Sequence, residues 1–234
     1  MSSIRVNTGD GAFGAHLALP AAGSGPGLVL LHEIFGVNDY MRDAARRFAG
    51  LGYVVLAPDL FWRTQPGLEL GHDEAGLLAG LAASAQLDVE AAVADARAAL
   101  EALRTLPEVT GGRAGVAGFC LGGTLAYRVA ACAEPDVAVV YYGSGIPSAL
   151  GDAAAIACPA IMHWGGADPY IPREQVDAVA AMAAAHDRIE CHVHEGAGHA
   201  FDNPAPMFAD PAARAAAWEL TAAFLARELP PREA

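Results

Sequence analysis

Gly118-Phe119-Cys120-Leu121-Gly122 decides the fold. The pattern is glycine, any residue, nucleophile, any residue, glycine, with cysteine where serine is more usual. Upstream, Arg113 to Phe119 reads as a short strand in which small and β-branched residues lead into an aromatic. Downstream, Gly122 to Ala130 reads as a helix, so the motif stands in the strand–turn–helix context that gives it meaning. A nucleophile on a turn this tight leaves no room for side chains on both sides, hence the flanking glycines. The turn lifts the sulfur above the sheet edge and aims the Leu121 N–H at a reacting carbonyl. Taken alone, the pentapeptide is equally a glycine-rich turn around a buried cysteine, since free cysteine is among the most buried residue types.

Outward from this turn, apolar runs alternate with helical patterns. Gly27 to Leu31 and Tyr53 to Ala57 are continuous apolar runs, the signature of strands buried on both faces of a parallel sheet. Val137 to Tyr142 and Ala160 to Trp164 read the same way, Arg188 to His194 as a further strand, and Gly14 to Leu19 as an early, partly exposed one. Between them, Asn38 or Asp39 caps a helix running to about Leu51, which Gly52 closes. Val89 to Leu106 is the clearest helix, with Val89, Val93, Ala96, Leu100 and Leu103 on one face and Glu90, Arg97, Glu101 and Arg104 on the other. Pro172 or Arg173 to Ala185 and Pro211 to about Glu228 are further helices, and residues 60–87 form a looser segment with one weak helical stretch. There is no internal repeat or linker. The expectation is one three-layer α/β domain over residues 1–234 with a mostly parallel central sheet.

Composition narrows the function. Fourteen Lys and Arg against 27 Asp and Glu give a formal net charge of −13. So acidic a surface repels phosphate backbones and anionic lipid, so no nucleic-acid or membrane partner is expected. The N-terminus lacks the apolar core of a signal peptide, and four cysteines, none in CxxC spacing, are too sparse for a disulfide scaffold. A reducing cytoplasm is the expected compartment, with Cys120 available as a thiol. Assembly is expected to be no more than a monomer or small homo-oligomer.

Ligands of such sheets bind beyond the carboxyl ends of the strands, so the residues that follow each strand carry the function. Glu33 follows the first buried strand, Cys120 the central one, and Tyr141 closes the next. Asp168 follows Ile161 to Trp164 across Gly165-Gly166-Ala167, and His199 lies after the last strand in Glu195-Gly196-Ala197-Gly198-His199. Asp168 before Pro169 is by itself ordinary turn chemistry, and His199 by itself a surface histidine. Together they complete nucleophile, acid and base in the chain order of α/β-hydrolases. The thiolate would attack, His199 would move the proton, and Asp168 would orient the imidazole and stabilise its cation. Ile34 N–H is the natural second oxyanion donor beside Leu121 N–H.

Glu33 is not required by a simple triad. Among Leu31, Ile34 and Phe35 it suffers desolvation, which raises a carboxyl pKa and lets it exchange a proton with the thiol. The competing reading is a buried glutamate paired with Arg42 or Arg63.

These residues carry a resemblance. His32-Glu33-Ile34-Phe35-Gly36-Val37-Asn38, Ala57-Pro58-Asp59-Leu60, the Cys120 turn with Gly123, Tyr141-Tyr142-Gly143, Gly165-Gly166-Ala167-Asp168 and Gly198-His199-Ala200-Phe201 together resemble the dienelactone hydrolase (carboxymethylenebutenolidase) family over nearly the whole chain. The resemblance implies an α/β-hydrolase fold and a Cys120–His199–Asp168 triad that opens lactones or esters through an acyl-enzyme. It implies that Glu33 activates Cys120 in response to substrate, that the amides of Ile34 and Leu121 form the oxyanion hole, and that the Tyr141 hydroxyl lies near the reacting centre. It implies no metal or organic cofactor.

Two departures bear on substrate. Family members that cleave dienelactone share two arginines for its carboxylate. One follows the His-x-Phe motif, where this chain has Ala200-Phe201-Asp202-Asn203; the other precedes the long helix, where Leu77 to Ser84 is apolar. Phe35, Tyr141 and Arg63 are the candidate substrate contacts, although a surface ion pair suits Arg63 equally well. His192 and His194 share a strand face, but two ligands make no metal site. Cys132, Cys158 and Cys191 read as core or edge residues. The favoured function is hydrolysis of small esters or lactones; the alternative is a ligand-binding module that retains the fold without catalysis.

Overall fold

In the computed structural model, which describes residues 2–231, the continuous apolar runs become the inner strands of one sheet. In chain order the elements are β1 (Ser2–Thr8), β2 (Gly11–Ala18), β3 (Gly25–Leu31), α1 (Asp39–Gly50), β4 (Val54–Pro58), α2 (Glu74–Ser84), α3 (Val89–Arg104), β5 (Val109–Phe119), α4 (Leu121–Cys132), β6 (Ala138–Tyr141), two short 3-10 segments (Ile146–Ser148 and Leu150–Ala155), β7 (Ala160–Gly165), α5 (Arg173–Ala184), β8 (Ile189–His194) and α6 (Pro211–Glu228). The eight strands lie in the order β1-β2-β4-β3-β5-β6-β7-β8. β4, β3, β5, β6, β7 and β8 pair in parallel, while β1 and β2 add an antiparallel edge. This is the mostly parallel α/β-hydrolase sheet expected from the sequence.

Every residue of β3, β4, β6 and β7 is buried, the reason these segments read as unbroken apolar runs rather than alternating ones. α3, α4 and α5 cover one face; α1 and α6 cover the other, where Phe48 meets Trp218 at 4.9 Å between ring centroids. Asn38, not Asp39, caps α1 by accepting from Met41 N–H. β1 was not legible from the sequence. Its burial alternates with solvent exposure, and its partner is the equally half-exposed β2. α2 is apolar with no polar face of its own, and Leu78 and Leu81 are 63% and 49% exposed. Among the described residues, no single helix is long and apolar enough to cross a membrane.

The central parallel pair sets the site. β3 and β5 are in register with Leu31 beside Gly118, so the residues after each strand, Glu33 and Cys120, emerge at the same sheet edge. A Cβ on Gly122 would collide with the Leu31 carbonyl, and one on Gly118 with the Gly122 carbonyl. That close approach lets α4 begin directly beneath the end of β3, and Gly122 N–H donates to His32 O at 3.1 Å.

Candidate active site

Cys120 sits between β5 and α4 with φ +52° and ψ −114°, a conformation that side chains rarely adopt. Strain of this kind costs about 1–3 kcal/mol and persists only where surrounding structure enforces it. Here the Cys120 N–H is tied to Tyr141 O at 3.0 Å and its carbonyl accepts from Thr124 N–H at 3.0 Å. The sulfur is thereby presented to a cavity of about 330 Å³. His199 Nε2 lies 3.1 Å from Cys120 Sγ, and His199 Nδ1 lies 2.7 Å from Asp168 Oδ2. The other Asp168 oxygen accepts from the amides of Tyr170 and Ile171 at 2.8 and 3.1 Å, so turn chemistry and His199 orientation share one carboxylate. Burial works against a charged His199, but the hydrogen bonds to Asp168 and Cys120 outweigh it and push its pKa up to about 10. The imidazolium donates both hydrogen bonds.

The loop after β3 is fixed from several sides. His32 is fully buried; its Nδ1 donates to Glu33 O at 2.6 Å and its Nε2 accepts from Leu60 N–H at 3.1 Å. Gly36, at φ +72°, pairs with Glu69, and Leu70 N–H donates to Phe35 O at 3.0 Å. The loop thus holds Glu33 inside the molecule and Ile34 and Phe35 on the cavity wall. Neither Ile34 N–H nor Leu121 N–H bonds to a backbone carbonyl among the described residues. Leu121 is the first residue of α4, whose N–H is free by helix geometry and carries the positive end of the helix dipole.

Glu33 pairs with neither Arg42 nor Arg63. Arg42 is engaged by Asp39 and Glu69, and Arg63 by Asp10 and Asp95. Glu33 Oε2 accepts from Asn203 Nδ2 at 3.0 Å, while Oε1 is buried with no partner among the described residues. Burial, opposed by the Asn203 hydrogen bond and the His199 charge, lifts the Glu33 pKa from 4.5 to about 7.

Two candidate substrate contacts are corrected. Arg63 lies outside the cavity: its guanidinium stacks on Trp62 at 4.2 Å and ties the β1–β2 turn to α3 through Asp10 and Asp95. Tyr141 is also absent from the cavity wall. Successive strand residues face opposite sides of a sheet, and Tyr141 faces α6, where its hydroxyl meets Thr221 Oγ1 at 2.7 Å. The tyrosine beside the triad is its neighbour Tyr142, at φ +39°, whose ring lies 5.2 Å from the His199 ring. Asp202 adds no negative charge to the cavity. It is fully buried behind the site, held by Arg47 at 2.8 and 3.1 Å and by the Tyr40 hydroxyl at 2.8 Å. Phe35 lines the cavity as expected.

The rest of the wall is largely apolar, with hydroxyl groups from Ser84, Thr124, Ser144 and Tyr170. Leu77, Leu81 and Ser84 from α2 and Val89 from α3 form one side; Tyr170 and Phe208 form the other. Among the described residues, no arginine or lysine contributes to it. Sequence reasoning missed Tyr170, Phe208 and Asn203. Asn203 stands four residues after His199, in the stretch where the resemblance leads one to look for an arginine. No group of three His, Cys, Asp or Glu side chains suited to a metal exists among the described residues.

The model of the dienelactone hydrolase family matches residues 13–229. The chain belongs to the dienelactone hydrolase family. A carboxymethylenebutenolidase from Pseudomonas sp. strain P51 is 39% identical over 210 residues, covering 89% of this chain and 87% of the relative. A solved structure from Klebsiella pneumoniae superposes with a TM-score of 0.84 at 25% identity, covering 97% and 98% of the two chains. A dienelactone hydrolase-like promiscuous phosphotriesterase from metagenomic libraries gives 0.80 at 26% identity, with 97% of each chain covered. The family match therefore spans the whole sheet from β2 onward, with all four polar residues at the sheet edge.

Proposed function

We propose that the protein hydrolyses small, neutral lactones or carboxylic esters through an acyl-enzyme on Cys120. The observation that carries this reading is the line of contacts from Asp168 through His199 to the cavity-facing Cys120, 2.7 and 3.1 Å long. The carboxymethylenebutenolidase relatives support ester or lactone hydrolysis as the reaction class.

Each step follows from proton positions. A His199 held as imidazolium cannot accept the thiol proton. Glu33, with a pKa of about 7 and a bare oxygen, can. The Cys120 sulfur attacks the carbonyl carbon, and the oxyanion forms against the Ile34 and Leu121 amides. His199 Nε2–H protonates the leaving oxygen as the carbon–oxygen bond breaks, leaving a thioester and a neutral imidazole. Water then gives a proton to His199 as its oxygen attacks the thioester. Collapse expels the sulfur, releases the acid and restores the imidazolium. Phe35, Leu77, Leu81 and Phe208 would bury the apolar part of the substrate.

The test is a panel of neutral aryl esters and lactones, with intact-mass detection of an acyl adduct. Turnover by wild type and an adduct that Cys120→Ala cannot form are expected. Undiminished turnover by purified Cys120→Ala would sink the nucleophile assignment.

A further inference from the structure

Six large apolar side chains stand exposed among the described residues: Leu19, Leu78, Leu81, Val89, Tyr170 and Met207. Scattered singly, such residues carry no meaning. Here they cluster. Leu81, Val89 and Tyr170 line the cavity in front of Cys120. Leu78 lies on α2 one turn before Leu81, and Met207 directly precedes Phe208, which also lines the cavity. Leu19 is the exception. β2 runs antiparallel to β4 with Ala18 beside Val55, so Leu19 lies at the amino end of the parallel strands, the opposite end from Cys120.

The build of α2 joins the cavity to the surface. Gly76, Gly80 and Ala83 face inward, and a Cβ on Gly80 would come within 2.8 Å of the Ile34 carbonyl, so the helix lies directly on the loop after β3. Leu77, Leu81 and Ser84 face the cavity. Leu78, Leu81, Ala82 and Ala85 are exposed and follow the i, i+3, i+4, i+7 spacing of a single helix face. An exposed helix face is ordinarily polar, yet the one charged residue of α2 is Glu74 in its first turn. Leu81 belongs to both stripes, so the apolar wall continues from the cavity over the outer face of the helix. The acidic groups that flank this face in sequence are committed elsewhere: Asp73 caps α2 and Asp88 caps α3.

We propose that this strip seats the acyl chain of the substrate, and that the preferred esters carry an alkyl acyl group too long for the cavity alone. The proposal rests on the hydrolytic reading above. His199 Nε2 protonates the leaving oxygen, so the alcohol departs beside His199, where the Tyr170 ring stands 5.3 Å from the imidazole. The amides of Ile34 and Leu121 take the carbonyl oxygen. The acyl chain has the remaining direction, past Ile34 and onto α2. Each methylene covered there leaves water, and full burial of one favours binding about fourfold. An uncharged chain also meets no repulsion from a protein of net charge −13.

The experiment measures kcat/KM for p-nitrophenyl acetate, butyrate, hexanoate and octanoate, each below its critical micelle concentration, with wild type, Leu78→Gln and Leu19→Gln. Wild type should gain about tenfold or more from acetate to octanoate, chiefly through KM. Leu78→Gln should lose about threefold or more on octanoate and stay within twofold on acetate, while Leu19→Gln should follow wild type throughout. Ethyl octanoate should be cleaved faster than its isomer octyl acetate, which carries the chain on the alcohol side. A flat or falling series in wild type overturns the proposal, as does a preference for octyl acetate. So does octanoate turnover confined to concentrations above the micelle threshold, which would make the strip a seat for aggregates. A dimer in sedimentation that Leu78→Gln dissociates would make it a contact between copies and overturn the proposal too. A wild type inactive on every ester overturns the hydrolytic reading and this proposal with it; activity on acetate without a gain in chain length overturns this proposal alone.

Discussion

Asn203 Nδ2 donates to Glu33 Oε2 at 3.0 Å, and this is the one hydrogen bond the buried carboxyl group makes among the described residues. A neutral amide stabilises a carboxylate far less than a cation does. Glu33 is thus held in position without being held in its charged form, the state a reversible proton acceptor needs.

Stability should register that arrangement. The folded-state pKa of Glu33 is about 7, against an ordinary value of 4.5. Below pH 4.5 both folded and unfolded chains carry the proton. Between 4.5 and about 7 the unfolded chain ionises while the folded one resists, so stability falls as pH rises through that window and is then level. Glu33→Gln removes the penalty. Urea unfolding should show the variant gaining on wild type by an amount on the order of 3 kcal/mol between pH 4 and pH 8. Parallel pH profiles for the two proteins would show that Glu33 is not shifted.

His199 works in the opposite direction. Its pKa is raised from 6.5 to about 10, so its contribution to stability is full below pH 6.5 and is lost as pH climbs towards 10. His199→Asn should flatten the alkaline limb of the stability curve by a few kcal/mol. Its residual hydrolysis should rise with pH, since hydroxide then attacks the thioester in place of the water that His199 would deprotonate. A wild-type rate that does not vary with pH in this variant would assign protonation of the leaving oxygen and activation of water to another group.

Cys120 stores strain that its removal should expose. Alanine at φ +52° is as strained as cysteine, whereas glycine is not. Cys120→Ala and Cys120→Gly should both lose turnover, yet the glycine variant should unfold about 1 kcal/mol later than the alanine one. Equal denaturation midpoints and slopes would mean that the turn relaxes around alanine.

The sequence made the sheet and the line of contacts at its edge legible for a common physical reason. Strands buried on both faces must be apolar throughout, and the residues directly after them must lie at one edge. Cys120, Asp168, His199 and Glu33 were singled out by that rule together with the glycine-flanked turn and the chain order of nucleophile, acid and base. What escaped it depends on directions and on distant pairings. Tyr141 and Tyr142 differ only in which face the backbone turns them towards, and the +39° φ of Tyr142 has no glycine to announce it. Arg63 was free to reach several partners, and the choice of Asp10 and Asp95 is set by how the β1–β2 turn packs on α3. Asn203 and His72 are 131 residues apart, and no local pattern joins them.

The cavity wall makes the strongest statement about substrate. A carboxylate buried there would need a cation, and among the described residues no arginine or lysine lines the cavity. An uncompensated buried charge costs about 2–5 kcal/mol, or tens to thousands of fold in binding. Neutral lactones and aryl esters should therefore exceed a carboxylated dienelactone of similar size by at least about tenfold in kcat/KM. The preference should also be reversible. Ser84 closes α2 at the cavity wall, and its hydroxyl is used only by Leu81 O, one turn back. Ser84→Arg places a planar, bidentate donor against the cavity with little loss of packing. The variant should raise kcat/KM for the carboxylated substrate by about tenfold or more while leaving the neutral ester within a few fold. A wild type that already favours the carboxylated substrate would show that a cation reaches the cavity by a movement absent from this structure, and Ser84→Arg would then add little.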